Sequence, residues 1–207
     1  MAAKRPYHHA NLKQSLLDAA IALIGETGPQ GFTLREVARR AGVSHNAPYR
    51  HFRDRDDLLA EVAAQGFHRL TESMTAAMAK GKTASARLRL AGRGYVAFAL
   101  DWPRHMLVMF DTPTPAEQRP EHAEAAQRSF QTLLDAIQAA QQEGTLPQGD
   151  PQRLAIVAWS GVHGLAKLAI GARIPFTAKQ TLDFADYLAL VLERGMASIA
   201  SDARRRG

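Results

Sequence analysis

Apolar residues recur at intervals of three and four along most of the chain, a period that is typical of amphipathic helices. The first stripe follows Asn11 and Gln14, a pair typical of a helix start, and it ends at the Gly28-Pro29 break. Its members are Leu16, Leu17, Ala20, Ile21 and Ile24. Little of the chain shows the alternation expected of strands, so the pattern predicts an all-α fold.

Four more helices are predicted before the chain reaches its last third. Asp54 is placed to cap a long amphipathic helix, after which Gly81-Lys82 marks the expected domain boundary. The stretches 84–101 and 103–110 then carry helical spacing, and so does a long stretch of about 117–143.

Two strongly apolar helices close the chain. The first is predicted to begin at Asp150-Pro151, a cap followed by proline at the first helical position. The second is predicted to begin at Thr177, which has the spacing of a capping box with Gln180. Helices this apolar form either the centre of a domain or the interface of an oligomer.

Residues 33–58 contain a distinctive local pattern. Thr33 and Glu36 have the spacing of a capping box, so a short helix is predicted to begin there. Gly42 is the expected left-handed residue that ends this helix. The apolar face of that helix consists of Leu34, Val37, Ala38 and Ala41. A second short helix follows the glycine turn, so the stretch is predicted to be a helix-turn-helix.

The second helix of this motif is predicted to be capped by Ser44 and to run from His45 to Phe52. Pro48 lies near its start and sacrifices at most about one backbone hydrogen bond, so we expect an altered first turn and an intact helix. His45 and Asn46 would project from its N-terminal end, where a helix-turn-helix meets base edges.

The distribution of charge agrees with contact to nucleic acid. The net charge is +6, and residues 1–55 hold nine Lys/Arg against four Asp/Glu, which accounts for +5 of it. A basic segment favours phosphate backbones, although a charge run alone is more often a solvated face. The coincidence of the basic end with the helix-turn-helix decides between these two interpretations.

The run AGVSHNAPYRHFRDRDDL resembles the N-terminal DNA-binding domain of the tetracycline-repressor (TetR) family of bacterial transcriptional regulators. The matching residues are Gly42, Val43, Tyr49, His51, Phe52 and Arg55. One departure from the family pattern is Pro48, where a leucine is more usual. The resemblance implies an N-terminal three-helix DNA-binding domain and a C-terminal helical regulatory and dimerisation domain.

The resemblance also implies roles for individual residues in binding a double-stranded DNA operator. Arg35 matches a position that contacts bases, and its planar fork suits guanine O6 and N7. Thr33, Tyr49, His51 and Arg55 match positions that touch phosphates. The full predicted DNA-binding set is Thr33, Arg35, Ser44, His45, Asn46, Tyr49, His51, Arg55, Lys4 and Arg5. Lys4 and Arg5 form a basic arm, for which a terminus without function is an equal alternative.

A second resemblance covers the C-terminal half. The run Trp159-Ser-Gly-Val-His163-Gly164-Leu resembles the signature of regulators whose ligand-binding half is called the WHG domain, and Tyr7 to Leu12 is similar to the opening of many of them. The two resemblances together span nearly the whole chain. They imply a homodimer through the last two helices, about 151–171 and 178–200, and an unknown small-molecule effector.

The predicted effector site is a set of aromatic and sulfur-containing side chains in the regulatory half. Its members are Phe98, Trp102, Met106, Phe110, Phe130, Trp159 and His163. A mostly apolar cavity with a few polar groups suits a hydrophobic small molecule. Such side chains at helical spacing are more often plain core, and His163 has a second interpretation as a buried histidine satisfied by hydrogen bonds.

Other classes of protein are disfavoured. The chain has no cysteine, which excludes disulfides, thiolate metal sites and cysteine nucleophiles. Among its eight histidines there is no His-Glu-x-x-His pairing, and neither a P-loop nor a complete G-x-G-x-x-G is present, so no catalytic residue, metal site or cofactor is predicted. We expect no apolar run of the roughly 20 residues that cross a bilayer, no signal peptide, no membrane partner and a cytoplasmic location.

The sequence therefore predicts an all-α, homodimeric, ligand-responsive transcriptional regulator that binds a palindromic site. A repressor is favoured over an activator because occlusion of a promoter requires no activating surface. The expected organisation is a DNA-binding domain at 1–55, a linking helix at 56–80 and a ligand-binding and dimerisation domain at 81–207. An architectural protein that binds DNA without sequence preference is the remaining alternative, and it would show little selectivity over competitor DNA.

Overall fold

A computed structural model describes residues 9–111 and 120–205, and every regular element within those ranges is helical. The α-helices are α1 His9–Thr27, α2 Leu34–Arg40, α3 Arg55–Met78, α4 Ala84–Asp101, α5 Pro103–Asp111, α6 Pro120–Gln142, α7 Pro151–Ile170 and α8 Ala178–Arg205. A single 3-10 turn, Pro48–Arg50, lies between α2 and α3. The prediction of an all-α fold is confirmed, and the arm residues Lys4 and Arg5 lie outside the described ranges.

The helix starts predicted at Thr33, Asp150 and Thr177 are confirmed, whereas α1 begins at His9, ahead of the start predicted at Asn11. Glu36 Oε2 accepts the Thr33 backbone N–H at 2.7 Å, while Thr33 Oγ1 accepts the Glu36 N–H at 3.3 Å. The same reciprocal pair joins Thr177 and Gln180 before α8, at 2.8 and 3.3 Å. Asp150 caps α7 by accepting the backbone N–H two residues later at 2.9 Å. Each pair satisfies backbone donors that the first helical turn leaves open.

The recognition segment 45–52 differs from its prediction, because it forms the 3-10 turn Pro48–Arg50 instead of an intact α-helix. Proline has no N–H to donate to the carbonyl four residues earlier, so the Ser44 carbonyl accepts the Ala47 N–H at 2.9 Å instead. Ser44 was predicted to be the cap, but the cap position is Ala47, which makes no side-chain capping bond. The expectation that Pro48 would disturb only the first turn is therefore wrong. Gly42 does adopt the predicted left-handed conformation, with φ of +69°.

By packing, the described residues form two compact units. The first is built from Met1–Gly66 and Arg104–Ala123, and the second from Phe67–Pro103 and Glu124–Gly207. Helix α5, which the sequence assigns to the regulatory half, thus packs within the first unit. The functional boundaries at 55 and 80 stay a prediction.

Two helix glycines in the first unit make room for α5. A Cβ on Gly25 of α1 would lie 2.3 Å from Arg104 Nε, and one on Gly66 of α3 would lie 2.4 Å from Met109 Sδ. His105, between these two α5 residues, is 1% exposed. The close approach accounts for the glycine at Gly66, which faces the buried Met109, in spite of the roughly 1 kcal/mol by which glycine weakens a helix relative to alanine; the exposed Arg104 opposite Gly25 can shift.

Helix α4 is central to the second unit, where it packs against both α7 and α8. Its Gly94 lies against the backbone of α3, because a Cβ there would be 2.7 Å from the Ser73 carbonyl oxygen. Ser73 Oγ also donates to the Gly94 carbonyl at 2.8 Å. The apolar core beside α4 contains Ala84, Leu88, Ala136, Ile137, Ala140, Leu146, Ala155 and Met196.

The expectation that no segment is long and apolar enough to cross a bilayer is wrong by length and composition. Among the described helices, Pro151–Ile170 satisfies both criteria, with 22% of that stretch buried. Such a helix is weak evidence for a membrane span, because apolar helices of other proteins satisfy the same criteria. Its apolar residues divide between a buried side, which includes Val162 and Leu165, and an outward side with Ile156, Val157 and Leu168.

We expect Pro48→Ala to convert the recognition segment into an α-helix. The new N–H at position 48 can donate to the Ser44 carbonyl, so residues 45–51 gain an i to i+4 ladder. Backbone 13Cα chemical shifts of these residues report the change directly. Pro151→Ala is the matched control, since an N–H at the first turn of α7 has no intrahelical partner. The 13Cα chemical shifts of the residues that follow position 151 should therefore not change.

We expect Gly94→Ala to destabilise the protein by about 1–3 kcal/mol, because the new methyl meets the backbone of α3 instead of a movable side chain. The control is Gly92→Ala on the same helix, whose Cβ would lie 3.2 Å from a Val162 methyl group that can shift. Urea unfolding measures both. A Gly94→Ala variant as stable as the Gly92→Ala variant would contradict the close contact.

Candidate nucleic-acid interface

The 3-10 turn exposes the side chains that the sequence assigned to base and phosphate contacts. His45 and Asn46 are exposed ahead of the turn, and Tyr49 within it is 54% exposed. Beneath them Pro48 and Phe52 are buried and anchor the turn in the first unit. An amide and an imidazole on a supported turn can present donors and acceptors to base edges.

The arginines of residues 33–55 fall into two groups. Three are engaged within the protein: Arg40 with Glu26 at 2.6 and 2.7 Å, Arg53 with Asp57 at 2.9 Å, and Arg55 with Asp56 at 3.1 Å and the Gln30 carbonyl at 3.2 Å. The Arg40 hydrogen bonds also lower the pKa of the Glu26 carboxyl. These contacts fix the guanidinium groups against their own surface.

The other group consists of Arg35, Arg39 and Arg50. All three are exposed, and none of them forms a salt bridge with a described residue. Sequence reasoning selected Arg35 and missed Arg39 and Arg50. The positions of Arg39, four residues after Arg35, and of Arg50, next to Tyr49, were visible in the sequence, but the pairing of the neighbouring arginines was not.

Two predicted phosphate contacts already have partners in the protein. The Thr33 hydroxyl donates to Glu36 Oε2 at 2.9 Å, and these bonds lower the pKa of the Glu36 carboxyl. Arg55 is held by Asp56 and the Gln30 carbonyl. A phosphate that binds either side chain has to replace a bond within the protein, so its net contribution is reduced.

A polar cleft of about 340 Å3 lies in the same unit, where His51 at the end of the recognition segment meets α1, α3 and the start of α6. Its lining residues are Lys13, His51, Phe52, Arg53, Asp57, Ala60, Glu61, Ala64, Pro120, Glu121 and His122. Lys13 pairs with Glu61 at 2.8 Å, and Arg53 pairs with Asp57. Burial lowers the pKa of His122. The carboxylates of the cleft are thus largely neutralised from within, and no group of three metal-ligating side chains occurs in the described residues.

The side chains predicted to form an effector site divide between the two units. Phe98, Trp102, Phe130, Trp159 and His163 belong to the second unit, whereas Met106 and Phe110 belong to the first. Phe98 is fully buried, and Trp102 is partly exposed with the Arg69 guanidinium 3.9 Å from its ring centre. The structure brings together Phe130, Trp159 and His163, with ring centres 6.2 Å and 5.8 Å from that of Trp159.

Tyr95 of α4 connects this aromatic cluster to the centre of the second unit. Its Oη lies 2.7 Å from His163 Nδ1 and accepts the Trp159 Nε1–H at 3.3 Å. Burial raises the pKa of Tyr95, so the hydroxyl keeps its proton. The indole N–H can only donate, so the Tyr95 oxygen is the acceptor from Trp159, while the direction of the Tyr95–His163 hydrogen bond follows the tautomer of the imidazole. We call Tyr95, Trp159 and His163 the polar hub.

We expect Tyr95→Phe to destabilise the protein by about 1–3 kcal/mol, because it removes the hydroxyl that Trp159 and His163 share in a buried site. Urea denaturation with an unchanged m value measures the loss. Tyr49→Phe, which removes an exposed hydroxyl, is the control and should stay within roughly 0.5 kcal/mol of wild type. Equal stability of both variants would exclude a buried hydrogen-bonded hub.

Two family models match separate parts of the chain. Residues 16–62 match the model of bacterial regulatory proteins of the tetR family, and residues 88–192 match the tetracyclin repressor-like C-terminal domain. The second match covers half of the chain. Among curated relatives, the transcriptional regulator BetI of Brucella anthropi is 26% identical over 182 residues, which are 87% of this chain and 93% of BetI. The regulator AcrR of Shigella flexneri is 37% identical over 62 residues, which span 30% of this chain and 29% of AcrR.

Solved structures share the fold of this chain. A protein of unknown function from Rhodococcus sp. RHA1 is 34% identical with a TM-score of 0.78, and the match covers 94% of this chain and all of that one. FadR from Bacillus subtilis, solved in complex with stearoyl-CoA, shares the fold at 17% identity with a TM-score of 0.75, over 88% of this chain and 98% of FadR. Because residues 16–62 match the tetR-family model and residues 88–192 match the tetracyclin repressor-like C-terminal domain, the chain belongs to the tetR family of bacterial regulatory proteins, which are helix-turn-helix transcriptional regulators.

Proposed function

We propose that this protein is a cytoplasmic repressor that binds a palindromic operator as a homodimer and is released by a small hydrophobic effector. Residues 1–55 would bind DNA, 56–80 would link, and 81–207 would bind the effector and dimerise. Repression by occlusion of a promoter needs no further surface, and the protein would act without catalysis.

The observation that carries the proposal is the exposed recognition turn with unpaired arginines on both sides. Asn46 and His45 would read base edges, and Arg35 would add a guanine contact. Arg39 and Arg50 are exposed and form no salt bridge with a described residue, so we add them to the proposed phosphate contacts. Thr33, Ser44, Tyr49, His51 and Arg55, with the arm Lys4 and Arg5, complete the proposed interface.

The proposed dimer surface is the outward apolar side of α7 and α8. It consists of Ile156, Val157, Leu168, Phe176, Phe184, Tyr187 and Val191, which are between 38% and 60% exposed. Apolar patches of this kind on soluble proteins mark interaction sites. A second copy suits this patch, because a two-fold interface pairs a surface with itself and a palindromic site requires two-fold symmetry. The same surface accounts for the apolar character of α7 without a membrane.

The proposed effector site centres on the polar hub with Phe130. An aromatic wall around a few hydrogen-bonding groups is typical of sites for apolar molecules with one polar end. FadR of Bacillus subtilis, which has the same fold, was solved with stearoyl-CoA. Long-chain acyl compounds are therefore the first class of effector to test.

The proposal is tested by gel-shift titration against the DNA that flanks the protein's own gene, with excess nonspecific competitor. We expect a specific complex whose affinity falls by about tenfold or more in an Arg35→Ala, Asn46→Ala variant, since each bidentate base contact contributes roughly 1–3 kcal/mol. Arg128→Ala, which removes an exposed arginine of α6 outside the proposed DNA and dimer surfaces, is the matched control and should bind like wild type.

The outcomes separate the candidate functions. Complexes that resist competitor and weaken only in the double variant support a sequence-specific regulator, whose operator preference should reach roughly a thousandfold or more. Site selection from random DNA should return palindromes with half-sites about one helical turn apart. Binding that competitor removes, together with selected sites of no common sequence, would favour the architectural alternative.

A further inference from the structure

Helix α4 contacts α7 and α8 through two different sets of side chains within the second unit. One side meets α7 through the Tyr95–His163 hydrogen bond and through Gly92, whose position lies close to a Val162 methyl group. The other side carries Arg89 and Arg93, which are one helical turn apart and both reach α8. Residues four apart on a helix lie one above the other, so the two arginines form a single row.

Arg89 makes the more buried of the two contacts. Its Nη1 lies 2.8 Å from Glu193 Oε2 and donates to Ser85 Oγ at 3.0 Å. Glu193 is only 8% exposed, so its carboxylate depends on this guanidinium for a counter-charge. Removal of one member of a buried ion pair leaves the other charged group in a poor environment, and the helices that carry them then shift or separate.

Arg93 reaches α8 two turns earlier. Its Nη1 lies 2.5 Å from Asp186 Oδ2 and donates to the Leu182 carbonyl at 3.0 Å. Asp186 and Glu193 are seven residues apart and therefore lie on one side of α8. Two arginines on α4 thus hold two carboxylates along one side of α8, and we call these four residues the arginine clamp.

The side of α8 that faces away from the clamp is apolar. Phe184, Tyr187 and Val191 are 38%, 60% and 45% exposed. An α-helix advances about 100° per residue, so Val191 lies roughly half a turn around the axis from Glu193, as Phe184 does from Asp186. A rotation of α8 about its axis would therefore change the clamp and the outward surface together.

We infer that Arg89 and Arg93 are positioning residues for dimerisation: they fix the rotation of α8 and so decide which of its side chains are presented to a second copy of the chain. This inference rests on the proposed dimer surface. It adds that contacts inside one subunit set the orientation of that surface. The arginines act through α8 and need no contact with the partner. Dimer affinity should therefore depend on having opposite charges in each pair, Arg89 with Glu193 and Arg93 with Asp186. It should not depend on which helix carries the positive charge.

The first test measures the monomer–dimer dissociation constant by sedimentation velocity over a dilution series. We expect an Arg89→Gln, Arg93→Gln variant to dimerise about tenfold or more weakly, because an uncompensated carboxylate is left between α4 and α8. The swap Arg89→Glu with Glu193→Arg should return the constant to within about threefold of wild type, since the pair is restored with its sign reversed. Arg128→Gln, which removes one exposed arginine of α6 away from α7 and α8, is the control.

Circular dichroism separates positioning from loss of structure. Should the double glutamine variant fail to fold, the milder Asp186→Asn takes its place, because Asp186 is exposed and tolerates a neutral side chain. A wild-type chain that stays monomeric at every concentration would overturn the dimer and this inference with it. A dimeric wild type whose affinity is the same in the clamp variants, or a charge swap that restores nothing, would overturn the inference and leave the dimer intact.

A second test follows the rotation of α8 and uses the absence of native cysteine. Phe184→Cys, Tyr187→Cys and Val191→Cys are made singly, and the rate at which each oxidises to a disulfide-linked dimer is recorded. In the wild-type background one position should cross-link fastest, and the Arg89→Gln, Arg93→Gln background should shift or erase that preference. An unchanged order of rates would show that the clamp does not set the rotation.

Discussion

The position of helix α4 is the constraint on which the second unit depends. Gly94 lets α4 approach the backbone of α3, the Tyr95 hydroxyl ties it to α7, and Arg89 and Arg93 tie it to α8. These contacts are of three physical kinds: a close steric contact, hydrogen bonds to a tyrosine hydroxyl, and ion pairs. None of them substitutes for another, because a shift that relieves the steric fit lengthens the polar contacts. A helix held in this way gives its neighbours defined positions instead of a general hydrophobic contact.

The recognition segment shows how one missing donor changes a functional element. Pro48 removes the N–H that an α-helix would use, and the Ser44 carbonyl turns to Ala47. The turn that results keeps Pro48 itself buried and leaves His45 and Asn46 exposed ahead of it. The side-chain chemistry expected at the tip is thus retained while its backbone support is different. Pro48 stands where the family usually has leucine, and this difference changes the backbone of the recognition segment more than the side chains that it presents.

Capping explains much of what the sequence predicted correctly. Thr33 with Glu36 and Thr177 with Gln180 act within one turn, so local spacing was sufficient to place the starts of α2 and α8. Side-chain grouping over long distances was harder. Met106 and Phe110 resemble Phe130 and Trp159 in type, yet they pack in the other unit, because the packing of α5 depends on glycines in α1 and α3 that are far away in sequence. The position of the Tyr95 hydroxyl between Trp159 and His163 depends on the packing of α4 against α7, which local spacing in the sequence does not determine.

The paired arginines of the helix-turn-helix have a bearing on specificity. Arg40, Arg53 and Arg55 are held by carboxylates of their own unit, whereas Arg35, Arg39 and Arg50 are open to solvent. A guanidinium that is already paired contributes less to general attraction for phosphate, because binding must first release its partner. Six unpaired arginines would hold any DNA strongly and with little regard to sequence. Pairing half of them lowers that uniform attraction, so in the proposed interface the base contacts of Asn46 and His45 would supply a larger share of the total affinity for an operator.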